Sequence, residues 1–539
     1  MKKQNYTNKS GLTLFLIGAL LLTGCDDFLE RSSQNQFIPK TATDYKEVLQ
    51  QEGYFRTFLD NAGKYAFVHY MTDDIEYFDA LKEPGIPNNW RTDKVAEDEK
   101  VEFLANVFRW DLSIENELFK DASYAYLYTQ VLAANICLEG VKTCEGTQAE
   151  KEITRGQASF VRAFAYLMLA NLYAKPYASV LEHAASTDLC VPLKTTSAPT
   201  VDQYPRATIA EVWGLITSDI AQALADLKGK NREELNRYEI NYPGALILAI
   251  RIALYMEDWD KVIELGEEFL KDYNTRFALY DITDRTTAGP RVVDENNPGV
   301  VKFMNSRNTE IVWPFGNRAY GSSRFGNQIG PMQSYNNISK YLRVSAKENG
   351  INKSLISMYQ DKDRRKDYWF FAPIPGEMVY PSFRFDYETV KFTNSSSEVD
   401  ILYANFGFRT AEVYLSLAEA YARKPSPDAG KAIERLNTLR AKRIADYTPL
   451  STSAYSGNDL VQFVWDERRR ELCFDEIHRW WDLRRTTQPR IKHQWRNNTY
   501  YILEEGDPGY VLNFPDVELS YNGSALVPNS RFQRTPIPE

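Results

Sequence analysis

The stretch from Gln157 to Leu172 constrains the fold more than any other. Phe160, Phe164, Leu167 and Leu172 leave it apolar on nearly all sides of a helix, and a helix apolar all round belongs in the interior. Other segments keep a helical period. Tyr124 to Leu138 is apolar-rich and ends near Gly140, and Thr208 to Leu227 forms another helix. Pro243 opens a further one through Tyr255, at the position where a missing N–H costs little. Trp259 to Leu270 follows after a short turn, and this last pair has the helix–turn–helix spacing of a tetratricopeptide unit. Helices resume at Thr410 to Arg423. Ser426-Pro427-Asp428 supplies an N-cap followed by proline, after which Ala429, Ala432, Ile433, Leu436 and Leu439 keep one apolar face. A last long helix is expected from Leu460 to about Phe474.

Between these blocks the pattern breaks. Residues 273–400 are rich in Gly, Pro, Asn and aromatic residues, with a short extended piece from Glu310 to Pro314 and a short helix expected at Lys353 to Tyr359. Long irregular segments on a rigid scaffold usually carry or cover function. The tail from Pro489 to Glu539 holds six prolines and reads as irregular. The expected architecture is mostly α: a tetratricopeptide-like scaffold of about four helix pairs with few short strands. It forms a single domain over 41–539, with helical blocks at 41–272 and 408–488, an irregular insertion at 273–407 and a tail at 489–539.

The N-terminus constrains location. Lys2, Lys3 and Lys9 precede the apolar run Gly11 to Leu22. The run is too short to cross a bilayer as a stable helix and has the layout of an export signal. Leu21-Leu22-Thr23-Gly24-Cys25 resembles a bacterial lipobox, in which residues 1–24 are removed and Cys25 receives lipid. Residues 25–40 are then a polar tether, and the protein is anchored to a membrane but not embedded in it. The chain carries a net charge of −9, which becomes −12 once the three lysines of residues 1–24 are lost. Nucleic acid is a poor partner for so acidic a protein. Of the five cysteines, Cys137, Cys144, Cys190 and Cys473 are too few and scattered for a disulfide scaffold, and read as small buried hydrophobes.

Three segments converge on one resemblance. They are Gly156-Gln157-Ala158-Ser159-Phe160-Val161-Arg162-Ala163-Phe164-Ala165-Tyr166; Phe408-Arg409-Thr410-Ala411-Glu412-Val413-Tyr414 continuing to Ala420; and Asp466-Glu467-Arg468-Arg469-Arg470-Glu471-Leu472-Cys473-Phe474, continuing through Arg479-Trp480-Trp481-Asp482-Leu483-Arg484-Arg485. With the lipobox and the closing Pro515-Asp516-Val517-Glu518-Leu519, they resemble the SusD/RagB family of outer-membrane lipoproteins, in order along nearly the whole chain. One departure stands out: Asp475-Glu476 occupies the place of the family's usual acidic-glycine pair. The resemblance implies a lipoprotein lid that captures nutrient oligomers, mostly glycans and in some members peptides, and hands them to a SusC-like TonB-dependent transporter. The alternatives are a RagB-like peptide binder on the same fold and a lipid-anchored glycoside hydrolase. From their spacing, Glu467, Arg468, Arg470 and Glu471 are expected to pair along one helix and with neighbours such as Arg409 and Glu412, fixing orientation rather than supplying chemistry.

Signatures of common enzymes are missing: there is no G-x-S-x-G, H-E-x-x-H, glycine-rich phosphate loop or C-x-x-C. The four histidines are not at ligand spacing, Asp73-Asp74 with Glu76 is an ordinary acidic cluster, and Asp294, Asn296 and Asn297 lack the glycine turn of a calcium loop. No catalytic residue, cofactor or metal is expected. Sugar recognition needs aromatic platforms beside planar hydrogen-bonding groups. Two stretches combine them. One holds Asp73, Asp74, Tyr77, Phe78, Asn88, Asn89, Trp90 and Arg91; the other holds Trp313, Asn317, Arg318, Tyr320, Arg324, Phe325 and Asn327. The expected ligand contacts are Asp73, Tyr77, Asn89, Trp90, Arg91, Trp313, Tyr320, Arg324 and Asn327. Trp313, followed by Pro314, equally fits a core strand.

Overall fold

The structure is a computed structural model that describes residues 38–55, 66–77, 105–111, 121–178, 184–200, 203–230, 235–283, 308–315, 342–345, 348–371, 382–383, 406–495, 499–530 and 533–538. Its helices are α1 (Ala42–Val48), α2 (Ser123–Gly140), α3 (Gln148–Tyr173), α4 (Ile209–Leu227), α5 (Tyr242–Tyr255), α6 (Trp259–Tyr273), α7 (Arg365–Trp369), α8 (Thr410–Arg423), α9 (Ala429–Arg440), α10 (Gly457–Leu472), α11 (His478–Arg485) and α12 (Asp516–Asn522). The strands are β1 (Ile75–Tyr77), β2 (Ile311–Phe315), β3 (Leu342–Val344), β4 (Phe370–Phe371), β5 (Ser382–Phe383), β6 (Phe406–Arg409), β7 (Ile491–Trp495), β8 (Thr499–Leu503) and β9 (Ile537–Pro538).

Local chemistry explains the helix starts. Thr147 with Glu150 opens α3, and Thr208 with Glu211 opens α4, each as a reciprocal capping box. Asn241 caps α5 just before Pro243. Asp428 caps α9 by accepting from the Lys431 N–H, so the cap lies after Pro427 and not at Ser426. Short turns make helix–turn–helix units of α2–α3, α5–α6 and α8–α9, as in a tetratricopeptide scaffold. The helices pack in succession: α2 on α3, α3 on α4, α4 on α5, α5 on α6, α6 on α8. Two glycines permit the close approaches. A Cβ at Gly156 of α3 would come within 2.9 Å of Asp226 and Leu227 of α4, and one at Gly266 of α6 within 2.7 Å of Leu417 of α8.

One apolar cluster runs from Leu49 to Leu526. In α3 every residue from Gln157 to Tyr173 except Arg162 is buried, and every residue of α5 is buried. Strands are few and short, as expected. β2 pairs antiparallel with β6, laying Trp313 opposite Phe408. The expected helix at Lys353 to Tyr359 is a single 3₁₀ turn, Ile356–Met358. The tail is more regular than expected: β7 and β8 form an antiparallel hairpin with Ile491 opposite Leu503, β9 joins it, and α12 follows from Asp516. Cys137, Cys144, Cys190 and Cys473 are buried and free.

Candidate functional site

Charged side chains fill the interior where α5, α8, α10 and α11 meet. Arg251, on the otherwise apolar α5, is fully buried. It donates to Glu412 at 2.7 and 2.8 Å and to Glu476 at 2.8 and 2.9 Å. Glu471 of α10 accepts from three guanidiniums: Arg443 at 2.9 Å, Arg365 at 3.0 Å and Arg409 at 3.1 Å. Arg409 also reaches Asp475 at 2.7 Å and Glu310 at 2.6 Å. Glu467 receives Arg470, three residues on, together with Arg365 and Arg440. Glu471 therefore pairs with Arg409 as the spacing suggests, whereas Glu412 turns to Arg251 on α5. Ionised groups so deep persist only when paired and hydrogen-bonded, and these groups are spent on one another. Burial raises the pKa of Glu476, and Arg251 offsets that only in part, leaving it at about 8.

The two stretches with sugar-binding composition adjoin a different pair of elements in the chain. β1 pairs antiparallel with β3, placing Ile75 opposite Val344 and Tyr77 opposite Leu342. In the chain, the stretch that holds Asn89, Trp90 and Arg91 comes after β1, and the stretch that holds Tyr320, Arg324 and Asn327 comes before β3. Those six residues, along with Phe78, Asn88, Asn317, Arg318, Phe325, Asp294, Asn296, Asn297 and the lipidation residue Cys25, lie outside the described residues.

Three expected contacts are described. Tyr77 is half-buried, with its ring 5.0 Å from that of Trp495. Asp73 is buried, and Arg479 donates to both its oxygens at 2.7 Å. Burial alone would raise its pKa, but the charges of Arg469 and Arg479 outweigh that and hold the carboxyl well below the usual range. Trp313 is a core side chain, 1% exposed, stacked on Phe315 and met edge-on by Phe160 and Phe408. It sits on β2, away from the β1–β3 junction, and neither ring face is open to a ligand.

Sequence reasoning missed the surroundings of that junction. β7 lies against β1. Trp495 and Tyr501 of the hairpin stand under the Arg109 guanidinium, at 5.9 and 5.4 Å. His493 is stacked between Phe108 and Trp110, with centroids at 4.1 and 4.2 Å, and its ring nitrogens meet the carbonyls of Phe108 at 2.7 Å and Thr72 at 3.0 Å. Burial pushes its pKa down to about 4, so the ring is neutral at pH 7 and donates to one of the two carbonyls. The sequence signal was the alternation Ile491, His493, Trp495 in a stretch otherwise marked by prolines. Among the described residues no group of three His, Cys, Asp or Glu could hold a metal ion, and no helix is long and apolar enough to cross a membrane.

Comparison with known proteins decides the family. Residues 335–539 match the SusD family, and residues 27–251 match the family described as starch-binding associating with outer membrane. The chain belongs to the SusD/RagB family. No curated protein matches its sequence. Among solved structures it is similar to a SusD superfamily protein from Bacteroides thetaiotaomicron, with 18% identity, 91% of this chain and 100% of that one covered, and a TM-score of 0.64. A SusD-like carbohydrate binding protein from Bacteroides vulgatus aligns at 19% identity over 90% of this chain and 97% of that one, with a TM-score of 0.57. Surface glycan-binding protein A from Bacteroides uniformis aligns at 14% identity over 90% and 98%, with a TM-score of 0.56. These likenesses establish a SusD-like fold. Glu476 has φ 49°, in the left-handed region that a side chain enters only at a cost. Held there, Glu476 is the second acidic group on Arg251, beside Glu412.

Proposed function

We propose that the protein is a surface lipoprotein that binds oligosaccharides without cleaving them and delivers them to a SusC-like TonB-dependent transporter. The observation that supports this reading is the β1–β3 pairing, which joins the strand preceding one stretch of aromatic, arginine and asparagine residues to the strand following the other. Tyr77, Asn89, Trp90, Arg91, Tyr320, Arg324 and Asn327 form the ligand surface. Asp73, held by its arginines, and Trp313, packed in the core, are not part of that surface. The carbohydrate-binding and glycan-binding proteins that share the fold support a saccharide ligand, and the starch-binding, outer-membrane description of one matching family supports the location. Cys25 carries the lipid, and the acidic Asp26-Asp27 after it directs the protein to the outer face of a Gram-negative outer membrane.

Calorimetry with soluble oligosaccharides from starch, mannan and pectin, beside a peptide mixture, tests the ligand class. Binding of at least one saccharide with no release of reducing ends is expected. Binding confined to peptides, or sustained turnover by the pure protein, would overturn it. Cys25→Ala should release the protein from membranes, since the lipid supplies its membrane affinity, and protease shaving of intact cells should remove the native protein.

A further inference from the structure

One buried cluster differs from its neighbours in charge. Among the described residues, Arg365, Arg409, Arg440, Arg443 and Arg470 face Glu310, Asp363, Glu467, Glu471 and Asp475, one arginine for each acid. Arg423, Arg468 and Arg485 face Glu257, Glu419 and Asp482. Arg469 and Arg479 face Asp73 and Asp74. The exception lies where α5 meets α8 and α11. Arg251 alone serves two carboxylates, Glu412 and Glu476, and neither has another arginine or a lysine among the described residues. The rings of Phe164, Phe408 and Trp481 close over the guanidinium. The fourth member is His478, whose Nε2 lies 3.3 Å from Arg251 Nη2, 3.7 Å from Glu476 Oε1 and 4.0 Å from Glu412 Oε2. Burial and the Arg251 charge hold this imidazole neutral. With both acids ionised the cluster would keep one negative charge in excess, and a group so deep takes up a proton instead. Glu476 is the acid nearer His478, and burial outweighs Arg251 to lift its pKa to about 8.

Glu476 also belongs to the turn between α10 and α11. Phe474 and Glu476 both lie in the left-handed region, with φ 59° and 49°. Asp475 on Arg409 and Glu476 on Arg251 hold the turn inward. The turn leads into α11, where Arg479 holds both oxygens of Asp73. The Phe474 ring lies 5.8 Å from that of His69, in the 3₁₀ turn Ala66–Met71.

We propose that Arg251, Glu412, Glu476 and His478 form a one-proton switch set into the α10–α11 turn. With one proton shared between Glu476 Oε1 and His478 Nε2 the cluster is neutral, and the turn stays against α5. When hydroxide takes that proton, two carboxylates are left on one buried guanidinium. Glu476 then leaves the interior, the left-handed turn relaxes, and α11 loosens its hold on residues 66–77 through Arg479 and Phe474. The other charged groups around the cluster do not supply the missing charge. Arg409 of β6, Asp475 of the turn, Arg468 of α10 and Arg485 of α11 are spent in the balanced clusters. Tyr255 of α5 is neutral, since burial raises its pKa. The device is independent of what the protein binds.

The test follows the native protein, Glu476→Gln and Glu412→Gln between pH 6 and 9 by two readouts. One is the infrared C=O stretch of a protonated carboxyl. The other is amide exchange in 473–485 and 66–77, corrected for the pH dependence of the intrinsic rate. The native protein should lose a carboxyl band as pH rises through 8, and protection of both segments should fall roughly tenfold by pH 9. Glu476→Gln should lack that band and keep its protection at every pH. Glu412→Gln leaves Glu476 alone on Arg251, a balanced pair, so it too should lack the band and keep its protection. Each variant restores the charge balance by a different acid, so either one that folds decides the matter. No such band in the native protein, a band that survives Glu476→Gln, or a band lost with no change in exchange over 473–485 would overturn the proposal.

Discussion

Two regions of this protein use arginine in different ways. In the interior around α5, α8 and α10, guanidiniums meet carboxylates from several elements: Glu467 and Glu471 are each shared among arginines, and Arg251 is shared by Glu412 and Glu476. At the β1–β3 junction, Arg469 pairs with the Asp74 carboxylate and also donates to the backbone carbonyls of Asp73 and Lys353, and the His493 ring lies between the carbonyls of Phe108 and Thr72 and donates to one of them. Side-chain pairs lock helices whose backbones are already satisfied. Backbone contacts hold pieces of chain too short to fix themselves, since β1 and β3 have three residues each. The difference separates a region built for rigidity from one built to place loops.

The comparison breaks first, and by the largest effect, at Glu471. Glu471→Gln keeps the shape but leaves Arg365, Arg409 and Arg443 short of a charge. Removing one partner of a buried ionic network costs roughly 3–5 kcal/mol, to be read as a lower denaturation midpoint at unchanged slope. At the junction, Asp73→Asn should cost clearly less, because Arg479 keeps 16% of its side chain exposed and can hydrate. Equal losses would erase the distinction between the two regions.

One buried group from each region should titrate with opposite sign. Glu476 has a folded pKa of about 8 against 4.5 in the unfolded chain. The folded state binds that proton more tightly, so its contribution is complete below pH 4.5 and is lost as pH rises through 8. His493 has a folded pKa of about 4 against 6.5 unfolded. Here the unfolded chain binds the proton more tightly, so stability falls as pH drops from 6.5 towards 4. Each limb amounts to a few kcal/mol at most. Glu476→Gln should flatten the alkaline limb and leave the acid limb, and His493→Gln should do the reverse, in denaturation curves taken between pH 4 and 9. His69, buried with its pKa also pushed down to about 4, and His478, pushed down by burial and by Arg251, keep part of the acid limb in any variant of His493.

The helical scaffold was legible because period and caps agree. Thr410 to Arg423 is the observed helix end for end, and Pro243 sits where proline opens one. The junction was not legible. Strands of three residues carry no periodicity, and their pairing joins Ile75 to Val344 across the length of the scaffold. Arg251 gave no signal either, since one charge in an apolar helix looks like an exposed face until α8 and the segment before α11 bring Glu412 and Glu476 to it. The composition of the two ligand stretches was visible, but not which aromatics turn inward. Trp313, before Pro314, fitted a ligand platform and a core strand equally well on paper, and strand pairing with β6 put it in the core.

Trp313 and Trp90 give the finest test. Trp313→Ala should cost roughly 3–5 kcal/mol of stability, as expected for a large aromatic removed from a packed core, and weaken ligand binding only through partial unfolding. Trp90→Ala removes a flat face from the proposed ligand surface, a loss of roughly 2 kcal/mol or about 30-fold in affinity for the bound oligosaccharide, with little change in the melting temperature. Calorimetry beside a thermal melt reads both numbers on the same samples. If Trp90→Ala lowers the melting temperature and spares affinity, Trp90 behaves as Trp313 does, and the saccharide platform must come from Tyr320 and Arg324, or from Tyr77 at the mouth of the junction. If both variants keep full affinity when folded, neither stretch holds the sugar, and the β1–β3 pairing serves some other purpose.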